Sequence, residues 1–175
     1  MSDGLFTLVL GGARSGKSRH AESLIEAQQA PWFYVVTAIS GDSEMKARIA
    51  EHQARRGPEW VTIEAPLDLA AALESINKSR PVLIDCVTLW LSNLMMENRD
   101  IDAALEVLIL SFDGREAHTV VVTNEVGHGI VPENALARKF RDAQGALNQR
   151  LAARADRVVM MAAGIPVTIK PVRTS

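Results

Sequence analysis

Phe6-Thr7-Leu8-Val9-Leu10-Gly11-Gly12-Ala13-Arg14-Ser15-Gly16-Lys17-Ser18 decides the fold. An apolar run reads as a buried strand over Phe6–Leu10. Residues 11–18 satisfy G-x-x-x-x-G-K-[ST], and the helical pattern from Lys17 to about Ala27 supplies the context that motif requires. Glycines at its two ends let consecutive backbone N–H groups turn inward around phosphate oxygens. The helix start adds a partial positive charge. In such a loop Lys17 neutralises β- and γ-phosphates and the Ser18 hydroxyl ligates Mg²⁺.

Beyond this motif, β-branched runs alternate with helix-period segments. Strands are predicted at Trp32–Thr37, Trp60–Glu64, Pro81–Asp85, Thr119–Asn124, Arg157–Ala162 and Val167–Lys170. Between them the spacing predicts helices over Asp42 to Arg56, from Pro66 to Ile76, Val87–Met96, Ile101 to Phe112 and Asn134 to Ala155. Strands separated by helices pair in parallel through crossovers. The last two are too close for a helix between them and must form a hairpin around Gly164–Pro166, one antiparallel edge. The expected fold is an α/β sandwich of the P-loop NTPase (RecA-like) kind, with a mostly parallel central sheet and an antiparallel C-terminal edge hairpin. No linker or repeat interrupts residues 1–175, so one nucleotide-binding domain is expected.

The 175 residues carry 19 Lys+Arg against 21 Asp+Glu, a formal net charge of -2 that argues against a general nucleic-acid or anionic-membrane binder. A single cysteine, Cys86, excludes an internal disulfide framework and fits a reducing cytoplasm. No basic-then-apolar leader pattern opens the sequence, and its apolar stretches fall short of the ~18 residues a membrane span needs.

A nucleotide site of this type needs a carboxylate near the magnesium ion, and Asp85, closing Pro-Val-Leu-Ile-Asp, is the candidate; the competing reading is an Asp capping the next helix. These features establish nucleotide binding without separating a kinase from a nucleotide-gated switch. A second constellation lies at His52. On a helix, Arg48 stands four residues before it, with Arg55 and Arg56 three and four after, so one imidazole shares a face with three guanidiniums. Arginine forks match phosphate, and clustered cations hold the imidazole neutral and nucleophilic, able to accept a phosphoryl or nucleotidyl group. The bland alternative is a solvated helix face.

Three separated segments together resemble a known family: Gly-Gly-Ala-Arg-Ser-Gly-Lys-Ser-Arg-His-Ala-Glu at residues 11–22, the Ala-Arg-Ile-x-x-His helix at 47–52, and Thr-Asn-Glu-Val-Gly-x-Gly-Ile-Val-Pro-Glu-Asn at 123–134. The segment Asp85–Asn93 also fits. The pattern is similar to the bifunctional adenosylcobinamide kinase / adenosylcobinamide-phosphate guanylyltransferase of cobalamin biosynthesis. The resemblance implies two reactions. ATP or GTP phosphorylates the aminopropanol hydroxyl of adenosylcobinamide. GTP then gives GMP to an enzyme histidine, releasing pyrophosphate, and the GMP passes to adenosylcobinamide phosphate to form adenosylcobinamide-GDP. Carried over by position, the guanylylated histidine is His52, with Lys17 as the other catalytic residue. Nucleotide contacts fall on Gly11, Gly12, Ala13, Arg14, Ser15, Gly16, Lys17, Ser18, Val36, Thr37, Ala38, Gln53, Ala54, Arg55, Arg56, Glu64 and Asp85, and Mg²⁺ on Ser18 and Asp85. Glu64 suits guanine, because a carboxylate accepts from its N1–H and 2-amino group. The resemblance also implies a homotrimer.

Glu125 ends a predicted strand on the side where α/β proteins bind ligands. Two roles stay open for it: handling the cobinamide hydroxyl proton or an ordered water, or capping a helix. Gly127, Gly129 and Pro132 mark a shaped loop able to carry cobinamide contacts. Trp90, Leu94 and Met95 share a helix face and read as core or subunit interface. His20 and His128 are assigned no catalytic role, and His118 reads as a surface residue.

Overall fold

A computed structural model describes residues 4–38 and 57–172 of the chain. In chain order the elements are β1 (Phe6–Gly11), α1 (Lys17–Glu26), β2 (Trp32–Val36), β3 (Trp60–Glu64), α2 (Leu69–Ser75), β4 (Val82–Asp85), α3 (Val87–Met96), α4 (Ile101–Ser111), β5 (Thr119–Asn124), α5 (Ala135–Arg154), β6 (Arg157–Ala162) and β7 (Ile165–Lys170). The predicted helix over 42–56 lies outside the described residues.

One seven-stranded sheet runs in the order β3-β2-β4-β5-β1-β6-β7. All its pairings are parallel except β6 with β7. This is the expected sandwich with its antiparallel edge. Strand alternation sorts the core into two layers. Leu8, Leu10, Val82, Ile84 and Val121 pack against α2–α5, through Leu73, Trp90, Leu91, Leu108, Leu147 and Leu151. Val9, Leu83, Val120, Val122 and Val159 face the other way and pack against Ala21 and Ile25 of α1. The stripe Lys17, Ala21, Ile25 recurs every fourth residue, which is why α1 lies flat on that layer. Trp90 and Leu94 are buried as expected, with Met95 packed against them.

Two boundaries differ from the sequence reading. The helix expected from Pro66 starts at Leu69. The carbonyl of Pro66 accepts from Asn93 Nδ2 (2.9 Å) and that of Leu67 from Trp90 Nε1 (2.7 Å), so α3 holds this segment out of the helix. The last hairpin turns through Ala163 and Gly164, both with positive φ (52° and 82°), and Ile165 already pairs with Ala162. A two-residue turn of that hand matches strand twist, so the strand starts two residues earlier than its apolar pattern suggested. Pro166 is tolerated because β7 is an edge. α5 is capped by Asn134, whose side chain accepts from the N–H groups of Leu136 and Ala137.

Candidate functional site

All six parallel strands end on one side, and the candidate residues gather there. Gly11 closes β1 between Asn124 of β5 and Met161 of β6. A Cβ on Gly11 would stand 2.6 Å from the Met161 carbonyl oxygen and 2.8 Å from Ser15 Oγ, so no larger residue fits where the loop doubles back. Gly16, at φ 93°, caps α1 with its backbone alone. The hairpin turn braces the loop from the far side, because Gly164 N–H donates to the Ser15 carbonyl at 3.1 Å. Gly12, Ala13 and Arg14 are exposed while Ser15 and Lys17 are buried, so the loop presents one open face above a fixed base. The Lys17 ammonium donates to the Gly12 carbonyl at 2.5 Å and lies inside the loop's curve.

Asp85 ends β4, level with Val36 of β2 and Val122 of β5. It is two strands from β1, about 10 Å sideways. Helix α1 spans that gap by packing over β1, β5 and β4 together. Burial lowers the pKa of Lys17, and Cys86 and Asp85 oppose that shift. The helix-capping reading of Asp85 fails: the residue at the N-cap of α3 is Cys86, and no side chain caps there. Burial first, then Asp85, push the Cys86 thiol up to about 11, leaving it protonated and unreactive near neutral pH.

The remaining positions are distributed as follows. Ser18 is half-buried in the first turn of α1. Val36 is core, and the Thr37 side chain is fully buried, donating to the Cys86 carbonyl (2.7 Å) and accepting from the Cys86 N–H (3.1 Å). Thr37 thus ties the ends of β2 and β4 together. Ala38 is half-buried beside them, and Glu64 is exposed at the end of the edge strand β3. His52, Gln53, Ala54, Arg55 and Arg56, with Arg48, lie outside the described residues. Glu125 follows β5 directly, and its N–H donates to the Gly11 carbonyl at 3.0 Å.

Sequence reasoning missed the polar layer beneath these residues. Thr88 Oγ1 accepts from the Asn124 N–H (2.8 Å), Asn148 Nδ2 donates to the Asn124 carbonyl (3.0 Å), and Thr123 Oγ1 donates to Asn148 Oδ1 (2.7 Å) and accepts from Gln144 Nε2 (2.9 Å). These bonds lock the start of α3, the end of β5 and the middle of α5 into one rigid support. The signal was present: Gln144 and Asn148 stand four apart on the stripe that also carries Leu147 and Leu151. Ser18 and Asp85 offer hard oxygen donors of the kind that would suit Mg²⁺ rather than a softer metal. No cluster of three or more His, Cys, Asp or Glu side chains able to hold a metal alone occurs among the described residues. Nor is any described helix long and apolar enough to cross a membrane.

Comparison with known proteins extends these observations. Residues 7–169 match the family described as cobinamide kinase / cobinamide phosphate guanyltransferase. The chain is 44% identical over 166 residues to the bifunctional adenosylcobalamin biosynthesis protein CobP of Pseudomonas aeruginosa, covering 93% of this chain and 96% of that one. It is 43% identical to CobU of Salmonella typhimurium, covering 95% and 100%. Among solved structures, the ATPase of a type III secretion system of pathogenic bacteria superposes with a TM-score of 0.62 at 10% identity, over 96% of this chain and 57% of that one. The KaiC-like protein PH0186 of Pyrococcus horikoshii does so at 0.54 and 15% identity, over 91% and 72%. At such identities these two likenesses speak for the fold alone, which is that of P-loop NTPases.

Proposed function

This chain belongs to the cobinamide kinase / cobinamide phosphate guanyltransferase family, and from that premise we propose how its own residues divide the two reactions. The protein is a bifunctional enzyme of cobalamin biosynthesis, with both activities. One triphosphate site at the carboxyl ends of β1, β4 and β5 serves both. The observation that carries this reading is the phosphate loop itself, with Gly11 locked between β5 and β6, the Lys17 ammonium on the Gly12 carbonyl, and α1 lying across β1, β5 and β4, the strand that ends in Asp85.

Residues 11–18 hold the phosphates through backbone N–H groups and the α1 N-terminus. Lys17 stabilises charge that develops on the β- and γ-phosphates. Ser18 and Asp85 are the residues to hold Mg²⁺, which when bound with the nucleotide neutralises the phosphate oxygens. In the kinase step, ATP or GTP yields its γ-phosphoryl group to the aminopropanol hydroxyl of adenosylcobinamide. In the second step a ring nitrogen of His52 attacks the α-phosphorus of GTP, an N–P bond forms, and pyrophosphate leaves. Adenosylcobinamide phosphate then attacks that phosphorus, freeing His52 and giving adenosylcobinamide-GDP. Arg48, Arg55 and Arg56, whose sequence spacing from His52 suits one face of a helix, carry the phosphate charge, and Gln53 and Ala54 contact the nucleotide. Glu64 accepts hydrogen bonds from guanine, while Thr37 and Ala38, with Val36 behind them, shape the floor. The residues act in one domain, in the cytoplasm, where a lone buried cysteine is at home, and as a homotrimer, the assembly the family resemblance implies.

Incubation with GTP labelled at the α-phosphate tests the assignment. One GMP per chain is expected, stable to base and released by acid, as a phosphoramidate on imidazole behaves. His52→Ala is expected to lose the label and keep cobinamide phosphorylation. A labelled His52→Ala protein removes His52 from the mechanism.

A further inference from the structure

We propose that Glu125 is the general base of the kinase step and takes no part in guanylyl transfer. The inference rests on the two activities stated above and adds a residue that distinguishes them. Among the alternatives the sequence left open, helix capping is excluded, since α5 starts ten residues later under Asn134 and no helix N-terminus lies at Glu125.

Its position is fixed from both sides. β5 lies between the strand that ends in the phosphate loop and the strand that ends in Asp85. Glu125 is the first residue beyond β5, its N–H bonded to the carbonyl of Gly11, the first residue of the phosphate loop. The layer of Thr88, Asn148 and Thr123 holds the preceding residue, Asn124, by both its N–H and its carbonyl. The backbone beneath the carboxylate therefore cannot shift without breaking these hydrogen bonds.

The side chain is held too. Glu125 Oε1 accepts from the Gly127 N–H at 2.6 Å, which leaves Oε2 for another partner. A Cβ on Gly127 would stand 2.8 Å from Oε1, so glycine there is what lets the carboxylate fold onto the backbone. Gly127 also lines a shallow groove of about 520 Å³ with Arg141, Gly145 and Gln149 of α5, open space beside the turn that holds this carboxylate.

The two reactions differ in their need for a base. The kinase acceptor is an alcohol, which must lose a proton as its oxygen bonds to the γ-phosphorus. Glu125 takes that proton, the bond from γ-phosphorus to the β–γ bridging oxygen breaks, and the nucleoside diphosphate leaves with the electron pair. The guanylyl acceptors are a neutral imidazole nitrogen, attacking through its lone pair, and a phosphate oxygen already ionised near neutral pH. Neither calls for Glu125.

Glu125→Gln keeps an oxygen to accept from Gly127 and removes only the basicity. Its kcat for cobinamide phosphorylation is expected to fall about 10²–10⁴-fold with KM little changed. Formation of the GMP adduct and transfer to supplied adenosylcobinamide phosphate should stay within about twofold of wild type, a split that a merely structural role would not produce. Gly127→Ala, which pushes the carboxylate aside, should lower the kinase rate alone, and Glu125→Asp should recover part of what Glu125→Gln loses. Kinase activity of Glu125→Gln near the wild-type level, or a parallel fall in both activities, overturns the proposal. A wild-type protein that forms the adduct but phosphorylates no cobinamide overturns the kinase assignment and this role with it.

Discussion

Two buried cations, one at each end of the same sheet, differ in how many of their donors are spent. Lys17 (8% exposed) sits at the carboxyl end, and its ammonium bonds, among the described residues, to the Gly12 carbonyl alone. Arg115 (5% exposed) sits at the amino end and fans its guanidinium over the carbonyls of Leu73, Ile76, Asn77 and Arg80 and the hydroxyl of Thr119, the shortest contact being 2.7 Å to Arg80. Burial lowers the pKa of both. Arg115 recovers the cost of its desolvation from the orphan carbonyls at the C-terminal end of α2, where the helix dipole favours a cation. Lys17 recovers little within the protein and keeps donors for phosphate. A saturated buried cation holds a fold together; an unsaturated one is ready for an anion.

Removal of each cation in turn tests that contrast. Lys17→Ala is expected to cut both the kinase rate and GMP-adduct formation by about 10³-fold. Its thermal midpoint should stay close to wild type, because a poorly compensated buried charge adds little to stability. Melting curves run beside activity assays check this. A Lys17→Ala protein that stays active, or melts as early as an Arg115 variant, would collapse the distinction.

Arg115→Met should do the reverse. It strips several buried carbonyls of their donor and is expected to destabilise the fold by about 3 kcal/mol. The folded fraction should still form the GMP adduct at the wild-type rate. Arg115→Lys should recover only part of the stability, since an ammonium cannot reach both the α2 carbonyls and Thr119 as a planar fork does. Chemical denaturation with adduct formation on the same samples separates the two readouts.

The carboxyl end of the sheet was legible in the sequence and the amino end was not, for a physical reason. Phosphate binding demands particular residue types at fixed spacing along one stretch of chain, so residues 11–18 declare themselves, and a strand-ending Asp85 follows from the short apolar run that it closes in Pro81–Asp85. Fold class came through as clearly, because strand and helix periods alternate over the whole chain. Arg115 lies between α4 and β5, and its partners are main-chain atoms contributed by residues about forty positions away. No local pattern encodes main-chain acceptors. The bracing of Ser15 by Gly164 and the late start of α2 are hidden for the same reason, as both depend on backbone groups meeting across the fold.

His118 belongs to the amino end as well, and it supplies the smallest of the expected effects. Its sequence context reads as surface, yet the residue is half-buried, with a ring nitrogen 2.8 Å from Thr7 Oγ1. Burial, and then Arg157, lower its pKa, with Asp156 opposing; burial and Arg157 lower His20 in the same direction. A histidine whose folded-state value lies below its unfolded value of about 6.5 binds fewer protons folded than unfolded. Stability is therefore fully present above about pH 6.5 and falls as the pH drops toward the folded-state values, the unfolded chain taking up the extra protons. Between pH 7.5 and 5.5 the urea midpoint should fall by about a few tenths molar. His118→Gln keeps a polar partner for Thr7 without titrating, so its midpoint should depend less on pH across that window. An unchanged slope would place the proton-linked loss elsewhere. Lys17→Ala should leave the slope as it is, since the histidines respond to the burial and the Arg157 charge around them rather than to the phosphate loop.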